Sequence, residues 1–338
     1  MNTYFVEYIW TGGNGEFRSK CKILTVPENT YPETITEDLL SLEWNYDGSS
    51  TGQATTEHSQ CKLTPVRVYI DTSDTSHLYV LCATPERDKL TSYADSLSSL
   101  EIWVGFEQEF FIWDLATRRA LGVCEGIPEQ GPYYCGVEAV PGYNANTSKL
   151  RNLTERIAKR CTELGVELTG YNLEVAPGQT EIQVMSRSGL KACDDLMMMR
   201  FLAHRVLMEE HCAPVFNPKP LGSQWNGTGL HTNISTVATR TIGGIDAIYY
   251  YMDKLKAMHE AHIAVYGEGN AERLTGVHET SSMSEFTWSI GGRHTSVRIP
   301  LEVATAGRGY FEDRRPAGNA NPYCVLARMV ATFNGRSF

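Results

Sequence analysis

Glu107 and Glu109 stand two residues apart in WVGFEQEFF (103 to 111), an aromatic and β-branched stretch otherwise suited to a buried strand. Side chains alternate faces along a strand, so both acids project from the same side. A second acidic pair flanks a turn in NLEVAPGQTEIQV, where Ala176-Pro177-Gly178-Gln179 fits a type II turn. Counting outward from that turn sets Val175 opposite Thr180 and Glu174 opposite Glu181. Like charges facing each other across a hairpin repel unless a cation lies between them. His231, in GLHTNIS, adds an imidazole among small residues on another strand. Either pair alone suits a solvent-facing strand. Taken together, four carboxylates and one imidazole point to Mg²⁺ or Mn²⁺ rather than a structural zinc.

A cationic stretch follows. RHTSVRIPLEVATAGRGYFEDRR, from Arg293 to Arg315, contains five Arg and no Lys. The planar guanidinium pairs with phosphate and carboxylate oxygens in a fixed geometry, so an all-Arg run fits oriented anion recognition as well as a solvated basic face. Glu312 precedes Arg314 by two residues, so one strand can offer an acid to a metal and a guanidinium to a phosphate. Metals and arginines around one space are what phosphoryl transfer requires, because its catalysis is charge neutralisation and alignment. No Walker A sequence is present, and YGEGNAERLTG is read as a mobile loop that carries His278 and Glu279 behind it like a lid. WNYDGSST (44 to 51) is ordinary turn chemistry. His259 and His262 read as core or surface histidines, and Met197, Met198 and Met199 as a helix core face.

The elements that must position these groups divide the 338 residues in two. Residues 1 to 84 are strand-like (YFVEYIW, KCKILTV, VRVYID, LYVLCA) and predict a small, mostly β domain. PERDKLTSYADSLSSL is a polar connection of helical spacing, and residues 85 to 338 alternate short strands with helices in SKLRNLTERIAKRCTELG, DDLMMMRFLAHRVLMEEH and GGIDAIYYYMDKLKAMHEAHIAVYG. The fold class is therefore α+β. A net charge of −10, with 30 basic against 40 acidic residues, argues against a nucleic-acid-coating protein. Nine scattered Cys without CxxC spacing and the lack of a signal-like N-terminus predict a reducing, cytoplasmic setting, and no apolar run is long enough to span a membrane.

The chain resembles glutamine synthetase, in its shorter eukaryotic-type branch. The resemblance rests on WNYDGSSTGQA, WVGFEQEF, GPYYCGV, APGQTEIQV, FNPKP, WNGTGLHTN, GEGNAERLTGVHET, SVRIP and GYFEDRRPAGNANPY, which occur in the family's order and cover nearly the whole chain. It implies an ATP-dependent ligase that joins ammonia to the γ-carboxylate of glutamate through a γ-glutamyl phosphate. The implied fold is a β-grasp-like N-terminal domain and a catalytic domain with a curved, mostly antiparallel sheet, an incomplete barrel backed by helices. Glu109, Glu174 and Glu181 match ligands of one divalent metal, and Glu107, His231 and Glu312 match ligands of a second. Arg293, Arg298 and Arg314 match arginines around the transferring phosphate and substrate. Arg273 matches the residue that grips the α-carboxylate, with Gly227 and Ser50 as further substrate positions. Glu279 matches the flap acid that shields the acyl phosphate, and Asp47 the N-terminal acid that binds ammonium and takes its proton. Trp103, Ser235 and Tyr310, with Arg298, match the nucleotide pocket. The resemblance also implies a homo-oligomer of two stacked pentamers, with Asp47 acting across a subunit boundary.

Some segments depart from the family pattern. EAVPGYNANTSKLRNL stands where relatives carry Gly-Ala and a Gly-Arg element beside the nucleotide. Thr180 replaces a Trp, Thr228 and Leu230 alter GAGCH, and IGGRHTS replaces VANRGAS. Two rival readings are a ligase of the same superfamily acting on another amine or γ-carboxylate, and a non-catalytic relative kept as a structural protein. The intact DGSST and LTGVHET motifs favour ammonia over a bulky amine, and the retained acids and arginines argue against loss of catalysis.

Overall fold

The computed structural model describes residues 1–123, 133–137, 147–336 and 338. The chain divides into two compact units: Met1–Asp88 with Arg160–Val166, and Lys89–Lys159 with Glu167–Phe338.

In the first unit, strands β1 (Asn2–Thr11) and β2 (Phe17–Val26) form a hairpin, helix α1 (Pro32–Ser41) follows, and β3 (Trp44–Asp47) pairs with β4 (Gln60–Leu63). Strands β5 (Pro65–Ile70) and β6 (His77–Cys82) complete a four-stranded sheet of order β2-β1-β6-β5, in which β1 and β6 run parallel. Alternation along β1 turns Tyr4, Val6, Tyr8 and Trp10 inward, where they pack with Ile35 and Leu39 of α1. The sequence predicts β1, β2, β5 and β6 but not β3, which it reads as a turn, nor β4 or α1, whose Pro at the first helical turn is its clearest start signal.

The polar connection forms two short helices, α2 (Pro85–Thr91) and α3 (Ala94–Ser99). Beyond them β7 (Trp103–Asp114) is the central strand of a nine-stranded sheet. It pairs with β8 (Arg119–Ala120), with β10 (Gln179–Ser186), and at its far end with β11 (Cys212–Val215). Helix α4 (Thr147–Glu163) precedes β9 (Leu168–Leu173), which is the edge strand beyond β10, and α5 (Gly189–Met208) separates β10 from β11. On the other side of β7 come β12 (Leu230–Ser235), then β15 (Phe311–Asp313), β14 (Val297–Ile299) and β13 (Trp288–Ile290). All of these pairings are antiparallel except β13 with β14, and the strand order is open rather than closed into a barrel.

Helix α5 is buried on almost every side, Met197, Met198 and Met199 included, because it fills the space behind the sheet. The remaining helices are α6 (Val237–Arg240), α7 (Gly244–Ala257), α8 (His259–Ile263), α9 (Leu301–Ala306) and α10 (Pro322–Asn334). One helix is predicted over the segment that α7 and α8 share. It breaks at Met258, whose backbone leaves helical geometry at φ −110° and ψ 17°. No helix among the described residues is long and apolar enough to cross a membrane, and no disulfide joins the described cysteines.

Candidate active site

Strand β7 separates core from site by alternation. Val104, Phe106, Gln108 and Phe110 are buried behind the sheet, where the Arg200 guanidinium donates to Gln108 Oε1 at 2.8 Å. Trp103, Gly105, Glu107 and Glu109 take the opposite face. The register then assembles the remaining acids on that face. Glu181 on β10 lies across from Glu109 and Gln183 across from Glu107. On the other flank His231 of β12 lies across from Glu107 and Asn233 across from Glu312 of β15, which in turn faces Arg298 of β14.

The hairpin register differs from the one counted out from the turn. Leu173 pairs with Thr180 and Asn172 with Glu181, while the Glu174 N–H donates to Gln179 O at 3.0 Å. The Pro-Gly turn forms, with Gly178 at φ 76° and a 3.2 Å bond from Gln179 N–H to Ala176 O. The side-chain oxygen of Gln179 accepts from Ala176 N–H at 3.2 Å, so Val175 and Ala176 belong to the loop rather than the ladder. The pairing slips by two residues. A slip of two preserves the face, so Glu174 still sits beside Glu109 and Glu181, one pleat along rather than directly opposite.

His231 Nδ1 lies 3.3 Å from Glu107, 3.6 Å from Glu312 and 3.9 Å from Glu109. Among the described residues, two groups have ligand atoms close enough to share an ion: Glu107, His231 and Glu312, and Glu109, Glu181 and His231. Burial, and then the neighbouring Glu109, push the Glu174 carboxyl up to about 8. Glu181 is raised well above the carboxylate range by burial and by Glu107, Glu109 and Glu174. Burial, aided by Arg314, lowers the His231 imidazole to about 4, so it stays neutral and able to ligate. Crowded acids with a neutral imidazole fit a hard divalent cation.

Arginines close the other side of this cavity, which encloses about 210 Å³. Glu312 accepts from Arg314 at 2.5 Å and from Arg298 at 3.0 Å. The Arg273 guanidinium lies 3.1 Å from His231 Nε2, and burial lowers its pKa to about 10. Arg293 lies 3.8 Å from Glu279, and Arg314 also donates to the Glu279 carbonyl at 3.3 Å. Glu279 and its neighbour His278 both hold left-handed backbone, at φ 60° and 54°, a conformation that costs energy for residues with a Cβ. Gly227 lines the same cavity.

A second cavity of about 390 Å³ adjoins the first, and Glu107 and Gln183 line both. Trp103, Ser235 and Tyr310 line this cavity with Met185, Ile234 and Arg240, whereas Arg298 lines the first. Arg240 places its guanidinium 4.0 Å from the Trp103 ring centre and donates to Ser235 Oγ at 2.9 Å. Asp47 and Ser50 belong to the first unit. Asp47 accepts from the N–H and hydroxyl of Ser49 and from the Ser50 hydroxyl at 3.2 Å, which holds its carboxyl below the usual range.

Sequence reasoning missed the neutral partners of the acids. Asn172 donates to Glu174 at 2.9 Å, Gln183 to Glu181 at 2.7 Å and Asn233 to Glu107 at 2.8 Å. Gln183 and Asn233 each lie two residues beyond a candidate ligand, a spacing that could have flagged them. Tyr134 and Arg240 were also missed, and Tyr134 lines the first cavity together with Arg293. Lys219, from FNPKP, is buried with no hydrogen-bond partner for its ammonium among the described residues, and burial followed by Arg273 lowers its pKa. Of the five arginines, Arg315 is a core residue rather than an anion ligand, fully buried against Asp313. Thr180, where relatives carry Trp, is buried 3.0 Å from the Thr154 hydroxyl. The divergent segment after GPYYCGV lies, over residues 138–146, outside the described residues.

Known proteins are similar to this chain over most of its length. The family described as glutamine synthetase, catalytic domain, matches residues 87–335. Glutamine synthetase of Emericella nidulans is 42% identical over 346 residues, covering 97% of this chain and 92% of its own. The glutamine synthetase cytosolic isozyme of Pinus sylvestris is 38% identical, covering 96% and 92%. A cryo-EM structure of Plasmodium falciparum glutamine synthetase overlays with a TM-score of 0.74 at 18% identity, over 98% of this chain and 72% of that one, which is a likeness of fold. With both the catalytic-domain match and full-length identity of this order, the chain belongs to the glutamine synthetase family.

Proposed function

We infer that the chain is an ATP-dependent glutamate–ammonia ligase, forming glutamine through a γ-glutamyl phosphate. The observation that carries this reading is the single sheet face on which crowded acids meet Arg298 and Arg314 beside a second, more apolar cavity. A γ-carboxylate oxygen of glutamate attacks the terminal phosphorus of ATP and ADP leaves. Ammonia then attacks the acyl carbon and phosphate leaves. Arg298 and Arg314, with Arg293, offset the charge on the transferring group, and Arg273 holds the α-carboxylate beside Gly227. Trp103, Ser235 and Tyr310, which line the second cavity, hold the nucleotide, and Arg298 meets its phosphates from the first. Two divalent ions, Mg²⁺ or Mn²⁺, would be held by Glu109, Glu174 and Glu181 and by Glu107, His231 and Glu312, and would neutralise phosphate charge.

An acyl phosphate hydrolyses readily, so Glu279 closes the cavity against water, and its contact with Arg293 gives the flap a place to land. Ammonium must lose a proton before it attacks, and Asp47 with Ser50 supplies the base. In this reading the N-terminal domain (1–84) is β-grasp-like, the catalytic domain spans 85–338, and Asp47 reaches the site of a neighbouring subunit. The assembly is a cytoplasmic homo-oligomer, a decamer of two stacked pentamers. Neither nucleic acid nor a membrane is a partner.

Purified protein given ATP, Mg²⁺, glutamate and ammonium is expected to release glutamine and ADP, and Glu312→Ala to abolish both. Binding of ATP and metal without glutamine formation would sink the reading.

A further inference from the structure

Gln183 occupies an unusual position in the site. It faces Glu107 across β7 and Gly170 across β9, and together with Glu107 it forms the wall between the two cavities. Its amide is held in one orientation. The nitrogen donates to Glu181 Oε1 at 2.7 Å. The oxygen lies over Gly170, where a Cβ would approach it to 2.8 Å, so only glycine leaves room for this placement. The strand pairing is irregular just after Gln183, which lets the side chain lean along the sheet toward Glu181.

The choice of a neutral donor has an electrostatic consequence. Glu109 and Glu181 already face each other, and a further acid opposite Glu107 would complete a square of four carboxylates. Cations would then meet one continuous acidic patch in place of two groups. An amide keeps the size and donates a hydrogen bond without adding charge.

We propose that Gln183 is a positioning residue that keeps two cation sites distinct: its nitrogen fixes Glu181 toward Glu109, and its neutrality leaves Glu107 to the group formed with His231 and Glu312. This inference rests on the two-cation reading above. Groups that orient metal ligands typically alter affinity about 10–100-fold when removed.

The test is Mn²⁺ titration of the full chain, with free Mn²⁺ read by electron paramagnetic resonance. The unaltered protein should show two classes of site. Gln183→Leu should weaken one class about 10–100-fold and leave the other within about threefold. Gly170→Ala, which displaces the amide without removing it, should weaken the same class by a smaller factor. If the unaltered protein binds no Mn²⁺, the two-cation reading falls and this inference with it. If it binds two ions and both variants match it, or if both classes weaken equally, the proposed role of Gln183 alone is overturned.

Discussion

Glu312 with Arg314 and Asp313 with Arg315 are two acid–arginine pairs one residue apart on and just beyond β15, and they differ in everything but chemistry. Alternation sends them to opposite faces of the sheet. Behind the sheet, Asp313 and Arg315 are both 0% exposed and joined by bonds of 2.6 and 2.8 Å. Tyr266 donates to Asp313 at 2.8 Å, His259 takes the remaining guanidinium arm at 3.0 Å, and the rings of Tyr266 and Phe286 flank it. Burial alone would raise the Asp313 carboxyl, but Arg315, with His262 and Tyr266, holds it below the usual range. In front, Glu312 is shared between Arg314 and Arg298 and stands among acids whose pKa values are pushed up. The rear cluster is electrostatically complete. The front cluster is left with excess negative charge on one wall and excess positive charge on the other, which is what a site for cations and phosphates requires.

The contrast is broken most severely from behind. Arg315→Leu strands the Asp313 carboxylate in the core, and breaking a buried pair in this way costs about 3–5 kcal/mol. Denaturant unfolding should register that loss, and Asp313→Asn combined with Arg315→Leu should recover part of it. Glu312→Gln should abolish glutamine formation while costing less stability than Arg315→Leu, because the amide oxygen still accepts from one of the two arginines and the lost charge relieves crowding among the acids. Equal destabilisation by Arg315→Leu and Glu312→Gln would erase the distinction between the faces.

The front face was the more legible of the two in the sequence, for a physical reason. Acids in a β-branched, aromatic strand contradict their surroundings, so Glu107 and Glu109 announce themselves, and a period of two assigns them a common side. Asp313 and Arg315 carry no such signal, since EDRR reads the same whether a pair faces solvent, core or ligand. The hairpin register was out of reach because a glutamine side chain, rather than the turn type, draws Val175 and Ala176 out of the ladder. Asn172, Gln183 and Asn233 were passed over because amides do not titrate, although each lies two residues from a candidate ligand. Roles such as that of Asp47 depend on the family resemblance, as its local chemistry is that of a turn.

The crowded front carries a pH-dependent cost in stability. Glu174 is raised to about 8 by burial and by Glu109, so between its unfolded pKa near 4.5 and that value the folded chain binds more protons than the unfolded one. Stability contributed by this group is present below the lower value and lost as pH rises through the upper one. Without divalent cations, Glu174→Gln should therefore match the unaltered protein near pH 5 and exceed it near pH 8, by on the order of a few kcal/mol. Added Mg²⁺ or Mn²⁺ should shrink the difference by stabilising the ionised form. A gain that is the same at both pH values would mean that repulsion among the acids is not its source.

The smallest effect concerns the border between the two front cavities. Arg240 packs on Trp103 at 4.0 Å and bonds Ser235 at 2.9 Å, yet it lies outside the group of arginines around Glu312. Arg240→Met removes a cation–π contact and the bond that orients Ser235, together about 1–2 kcal/mol. If the second cavity holds the nucleotide and the first the glutamate, the KM for ATP should rise roughly 5- to 30-fold while the KM for glutamate and kcat stay within about twofold. Arg240→Lys should recover only part of the loss, because an ammonium cannot reproduce the planar contact with the ring while also bonding Ser235 and the Glu101 carbonyl, which Arg240 reaches at 2.7 Å. A parallel rise in both KM values would mean that the Glu107–Gln183 wall does not partition the substrates, and that the front face works as one undivided pocket.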